Sequence, residues 1–223
     1  MSPDMILHIP GPAGTLEALI DDPGAACTTA RPRDAADSPG ATPPTAAVVL
    51  CHPHPLHGGT MHTKVVYQAA KAFCRLGCAV LRFNFRGVGV SQGAFDEGVG
   101  EKDDFRAGID FMARRYPGSP IWAAGMSFGS WVAMTAGAED DRVTTLLGIA
   151  APIGLYDFSA VRHSTKPKFL IHGEYDEICA LRDVREFYGH ASEPKDLVVI
   201  DTANHLFDGH VTEVSEAIEE LLR

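Results

Sequence analysis

Ile121-Trp122-Ala123-Ala124-Gly125-Met126-Ser127-Phe128-Gly129-Ser130-Trp131-Val132-Ala133-Met134-Thr135-Ala136 is the stretch that decides the fold. Its first four residues read as a buried strand and its last seven as the start of a helix. Between them lies Gly125-Met126-Ser127-Phe128-Gly129, a G-x-S-x-G at a strand-to-helix junction, the pattern of a nucleophile elbow. Such a turn is tight enough to hold the serine in a strained backbone conformation, and small residues on either side let the two arms approach. The hydroxyl then stands clear of the sheet beside the positive end of a helix. Ser127 is the candidate nucleophile. A serine that only caps its own helix is the competing reading, and the strand before it argues against that.

A serine hydroxyl needs a base, and the base needs an acid to orient it. With this kind of elbow the chain order is Ser, then Asp or Glu, then His. Downstream, the apolar run Lys168–His172 leads into Gly173-Glu174-Tyr175-Asp176-Glu177, and Leu197–Ile200 leads into Thr202-Ala203-Asn204-His205-Leu206. Open parallel sheets place site residues at the carboxyl ends of strands, which is where Asp176 and His205 fall. Glu174, Glu177 and Asp201 rival Asp176, which sits just past its strand where the loop can turn back. His172 ends a strand and reads as structural; His210 begins a helix and reads as surface.

Strand patterns recur at Met5–Ile9, Thr15–Ile20, Ala46–Cys51, Ala79–Phe83, Ile121–Ala124, Thr145–Ala150, Lys168–His172 and Leu197–Ile200. From the third onward they are continuously apolar, as strands buried on both faces are. Helical spacing appears at Val65, Ala69, Phe73 and Leu76, at Phe105, Ile109, Met112 and Tyr116, and at Val211, Val214, Ile218 and Leu221. Strands alternating with helices predict a mostly parallel α/β sheet of about eight strands with helices on both faces, the first two strands forming an antiparallel edge hairpin. The length of 223 residues suits one domain, 1–223. Only residues 151–166 separate two successive strands where a lid is usually inserted, too few for a helical lid. Residues 23–45 hold six Ala, five Pro, four Thr and two Gly without a large apolar side chain, and are expected to form a mobile loop.

A net charge of −10 argues against nucleic acid or an anionic membrane surface as partner, and no apolar run is long enough to span a bilayer. The five cysteines contain no C-x-x-C pair, and Cys51, Cys74 and Cys78 fall in predicted strands or helices as small hydrophobes. With no basic, apolar leader at the N-terminus, these features suggest a reduced, cytoplasmic protein. No signal for oligomeric state is present.

The loop after the third strand, His52-Pro53-His54-Pro55-Leu56-His57-Gly58-Gly59-Thr60-Met61, should complete an oxyanion hole. The backbone N–H of Phe128, next to the serine, supplies one half. Prolines have no N–H, so Pro53 and Pro55 are excluded and His54 is the expected second donor, with Leu56 behind it. His52, His54, His57 and His62 also suggest a metal, but no acidic or cysteine ligand lies nearby in sequence, so no metal is expected. His52 is read as ordering the loop. Phe83-Asn84-Phe85-Arg86-Gly87-Val88-Gly89-Val90-Ser91 is superficially a dinucleotide loop, but Gln92 stands where a third glycine is required, so no dinucleotide cofactor is expected. Arg86 and its glycines are read as a brace beside the site, and Glu101, Lys102, Asp103 and Asp104 as a solvated helix start.

The two motifs at 52–61 and 83–91, with G-x-S-x-G at 125–129, resemble those of a small bacterial group of α/β-hydrolases related to the dienelactone hydrolases. The latter have cysteine as nucleophile where this chain has Ser127. The resemblance runs from about residue 46 to the C-terminus. It implies the α/β-hydrolase fold and hydrolysis of small carboxylic esters by Ser127, Asp176 and His205, with no cofactor. Thioesterase, amidase or small-peptidase activity with the same triad is the alternative, and a non-catalytic binding protein a more remote one.

Overall fold

The computed structural model describes residues 6–23 and 43–223. Eight strands form one sheet: β1 (Leu7–Gly11), β2 (Gly14–Asp21), β3 (Ala47–Cys51), β4 (Ala79–Phe83), β5 (Ile121–Met126), β6 (Val143–Ile149), β7 (Lys168–Gly173) and β8 (Lys195–Ile200). Their spatial order is β1-β2-β4-β3-β5-β6-β7-β8. The pairs β1/β2 and β2/β4 are antiparallel and all others parallel, so the predicted hairpin lies at one edge. The expected 23–45 loop falls, apart from its two ends, outside the described residues.

Among the described residues six α-helices accompany the sheet: α1 (Lys64–Arg75), α2 (Val99–Arg115), α3 (Phe128–Glu139), α4 (Ser159–His163), α5 (Leu181–His190) and α6 (Val211–Leu221). Alternation along the central strands sorts the core into two layers. Val48, Leu50, Val80, Met126 and Ile171 face α1 and α6, whereas Val49, Leu81, Phe83, Ala123 and Leu170 face α2, α3 and α5. Every residue of β3 and β4 is buried, β3 as an unbroken apolar run and β4 with one charge, Arg82, paired inside to Asp21. Between β6 and β7 only the five-residue α4 is inserted, and it lies against α3 and α5 and forms no lid.

Two residues of the predicted charged cluster depart from expectation. Glu101 and Asp104 do not sit on a solvated helix start; both are fully buried. Their burial is matched by partners: Glu101 accepts hydrogen bonds from the Gly98 and Asp96 amides (2.7 and 3.0 Å), and Asp104 forms a fork with Arg86 (2.8 and 3.0 Å). Asp103 alone is exposed as expected, while Lys102 lies half-buried over the Trp131 ring. Helix α5 and the first turn of α2, from Val99, are further elements that apolar periodicity did not announce.

Candidate active site

Strand β5 delivers Ser127 to its carboxyl end with φ 51° and ψ −126°. This backbone region is strained for any residue with a Cβ. The glycines of the elbow are demanded by close approach. A Cβ on Gly125 would overlap the Gly129 carbonyl, and one on Gly129 would overlap the backbone carbonyls of His52 and Cys51. Gly129 therefore lets the first turn of α3 rest directly on the base of the 52–61 loop. The Ser127 N–H is used by the Ile149 carbonyl at 2.8 Å, and Ser130 Oγ donates to the Ser127 carbonyl at 2.6 Å, fixing the turn from both sides.

The β7 and β8 loops bring the other two groups to the same place. His205 Nδ1 lies 2.8 Å from Asp176 Oδ2, and Nε2 lies 2.9 Å from Ser127 Oγ. A carboxylate only accepts, so Nδ1 carries the hydrogen and the bare Nε2 accepts from the serine hydroxyl. Asp176 Oδ1 accepts from the Ile178 and Cys179 amides at 2.9 and 2.8 Å. Burial favours the protonated acid, but the bonds from His205 and from those amides outweigh it and hold the Asp176 carboxyl below its ordinary value. The two loops are tied to each other as well: Tyr175 N–H donates to the Ala203 carbonyl (2.9 Å), and His205 N–H donates to Glu177 (3.1 Å). The rivals Glu174 and Glu177 are thus occupied with backbone amides, Thr202 in the case of Glu174. His172, buried at the end of β7, donates from Nε2 to the Cys179 carbonyl at 2.9 Å and so supports the Asp176 loop. His210 stands at the surface start of α6, bonded to Glu213 at 2.8 Å.

The histidine loop and the Phe83–Ser91 loop are bonded to one another. Met61 N–H donates to Asn84 Oδ1 (2.8 Å), Arg82 Nη1 donates to the Met61 carbonyl (2.9 Å), and the Phe85 N–H donates to His52 Nε2 (3.1 Å). Arg82 is in turn held by Asp21 in an ion pair of 2.6 Å with both side chains buried. Sequence reasoning singled out both motifs without seeing that each is the other's partner. A 3-10 turn at Pro55–His57 shapes the tip, with Leu56 N–H donating to His54 Nδ1 at 3.2 Å. The His54 ring stacks on His57 (4.4 Å) and touches Phe128 (4.9 Å) and Phe95 (5.0 Å). The Phe128 N–H, first of α3, has no helical acceptor, and the His54 N–H donates to no acceptor among the described residues. His52 bonds the Pro53 carbonyl and the Phe85 amide, and among the described residues no group of three or more His, Cys, Asp or Glu gathers as a metal site. Cys51, Cys74, Cys78 and Cys179 are buried thiols.

A hydroxyl, a neutral imidazole and a carboxylate linked in this sense can pass a proton from the hydroxyl to the ring as a bond to an acyl carbon forms. Residues 42–160 match the Hydrolase_4 family, described as serine aminopeptidase, S33. The chain belongs to that family. An uncharacterized protein of Rickettsia prowazekii is 38% identical over 192 residues, covering 82% of this chain and 81% of its own length. An α/β serine hydrolase homologue from Coxiella burnetii superposes with a TM-score of 0.86 at 33% identity, covering 100% of this chain and 99% of that one. A Xanthomonas campestris protein described as an α/β serine hydrolase without a lid gives 0.85 at 33% identity, covering 100% and 95%. The fold is therefore the α/β-hydrolase fold and the chain a member of a serine hydrolase family. No helix among the described residues is long and apolar enough to cross a membrane.

Proposed function

We propose that this protein hydrolyses small carboxylic esters through an acyl-enzyme. Ser127 Oγ attacks the ester carbonyl while His205 Nε2 takes its proton, and Asp176 holds the ring and stabilises the imidazolium. The N–H groups of Phe128 and His54 receive the charge that develops on the carbonyl oxygen. His205 then protonates the leaving alcohol, and water, activated by the same ring, releases the acid. The observation that carries this reading is the unbroken chain from Ser127 Oγ through His205 to Asp176, at 2.9 and 2.8 Å.

A peptidase reading is favoured by the family's description. An aminopeptidase must hold its substrate's ammonium group, which a free carboxylate at the mouth does best. Glu174 and Glu177, the acids flanking Asp176, are instead committed to backbone amides, and the side chains around Phe128 are aromatic: His54, Phe95, Trp131 and Tyr156. That balance supports esters. A panel of matched p-nitrophenyl esters, a thioester and an aminoacyl anilide tests it, with labelling by a fluorophosphonate as the check on Ser127. The ester should be cleaved fastest, and Ser127→Ala should lose labelling and about 10⁴-fold or more in kcat. Retention of activity within tenfold in that variant would refute the assignment.

A further inference from the structure

His52 bonds none of Ser127, Asp176 and His205, yet its two ring nitrogens have one consistent reading. Nδ1 lies 2.6 Å from the Pro53 carbonyl oxygen, which only accepts, so Nδ1 carries the hydrogen. Nε2 lies 3.1 Å from the Phe85 backbone nitrogen, which only donates, so Nε2 is bare. The residue is fully buried, and its ring meets the Phe85 ring edge-on at 4.7 Å. A single neutral tautomer is thus selected by two backbone groups of opposite kind. Burial holds the ring's pKa at about 4, so the neutral form persists at neutral pH.

The Pro53 carbonyl belongs to the same peptide unit as the His54 N–H. That unit is trans, so its C=O and N–H point in opposite directions. The proline ring already fixes its own φ, which leaves one soft torsion, the ψ of Pro53, to aim the peptide plane. A bond that draws the Pro53 oxygen toward His52 therefore turns the His54 N–H to the opposite side. We propose that His52 is a positioning residue that sets the direction of the His54 oxyanion donor through the Pro53 carbonyl. This rests on the serine-hydrolase reading above and adds to it a residue that acts only through another. Phe85, two residues beyond β4, is the anchor that keeps the required tautomer, so the Phe83–Ser91 loop reaches the His54 donor through this ring.

Two amide replacements separate aim from mere support. In His52→Asn the side-chain nitrogen stands at the Nδ1 place and still donates to Pro53, while Phe85 loses its acceptor. In His52→Gln the amide reaches the Nε2 place and still accepts from Phe85, while the Pro53 carbonyl is released. The expected result is that His52→Gln lowers kcat by roughly 10²-fold, near the loss of one oxyanion donor, with KM within about threefold. Inhibition by an alkyl boronic acid, whose tetrahedral adduct carries the oxyanion, should weaken in parallel. His52→Asn should keep kcat within about fivefold while melting at a lower temperature. Equal kcat losses in both variants, tracking their melting temperatures, or an unchanged kcat in His52→Gln, would overturn the proposal. Should either variant fail to fold, nitrogen-15 spectra of histidine in the wild-type protein decide. His52 must show hydrogen on Nδ1 alone at neutral pH, and hydrogen on Nε2 excludes the mechanism. Fluorophosphonate labelling of the wild type separates failure of this proposal from failure of the serine-hydrolase reading, because it reports whether Ser127 is an activated nucleophile at all.

Discussion

The two sides of the candidate site are built to different standards. On one side, the elbow and the histidine loop stand on β3, β4 and β5, in the middle of the sheet, above a buried Arg82–Asp21 pair and a set of side chain-to-backbone bonds. On the other, Asp176 and His205 sit on loops of β7 and β8, the latter an edge strand whose residues, Ile200 apart, are half-buried or exposed. Glu174, Tyr175, Glu177, Ile178 and Leu206, around the acid and the base, are exposed. The groups proposed to bind charge in the transition state are fixed by the core. The groups proposed to move protons are fixed by their bonds to each other and to neighbouring amides. Preorganised donors must not reorganise at the moment of reaction, whereas a proton relay tolerates small shared movements.

The largest effect expected on the edge side comes from Asp176→Asn, which keeps the shape but removes the charge that selects the His205 tautomer. A fall in kcat of about 10⁴ is expected, read from initial rates on the preferred ester. If Glu177 swung from the His205 amide to replace it, the fall would shrink below tenfold, and the edge would be more adaptable than its bonds suggest. On the core side, Arg82→Met strands Asp21 as a buried, uncompensated carboxylate and frees the Met61 carbonyl. Unfolding in urea should show a loss of about 3–5 kcal/mol. A loss below about 1 kcal/mol would mean that this side is not held by its ion pair.

Acid should reach the core side first through His52. Its pKa falls from the ordinary 6.5 to about 4 on burial, so the unfolded chain takes up its proton before the folded one does. The contribution to stability is complete above pH 6.5 and is lost progressively down to about pH 4, on the order of 3 kcal/mol in all. His52→Asn has no such ionisation, so its stability should fall less steeply than that of the wild type over that window. Parallel curves would show that the ring is more open to water than its burial implies.

The elbow, the order Ser127–Asp176–His205 and the parallel sheet were legible because each is written in a short local stretch, a turn or an apolar run. What remained hidden depends on distant partners. Glu101 and Asp104 read as solvated because nothing nearby in sequence announces the Arg86 that meets Asp104 or the amides that meet Glu101. Helix α5 buries only Val184 fully, so its apolar stripe was too thin to stand out. The bonding of the histidine loop to the end of β4 was invisible because β3 and β4 become neighbours only in the sheet.

The backbone of Ser127 has one more consequence, which concerns thermal endurance. At φ 51° and ψ −126° an alanine is strained by about 1–3 kcal/mol, whereas a glycine adopts that conformation freely. Replacing the serine by either residue removes the same hydroxyl and the same bond to His205. The usual ranking of the two should therefore invert, with Ser127→Gly melting about 2–6 °C above Ser127→Ala in calorimetry. Equal or reversed melting temperatures would show that the elbow carries no strain. With the strain present, the margin of the fold against unfolding is thinner at that turn than the surrounding core requires, and the glycine variant recovers it only by giving up the hydroxyl.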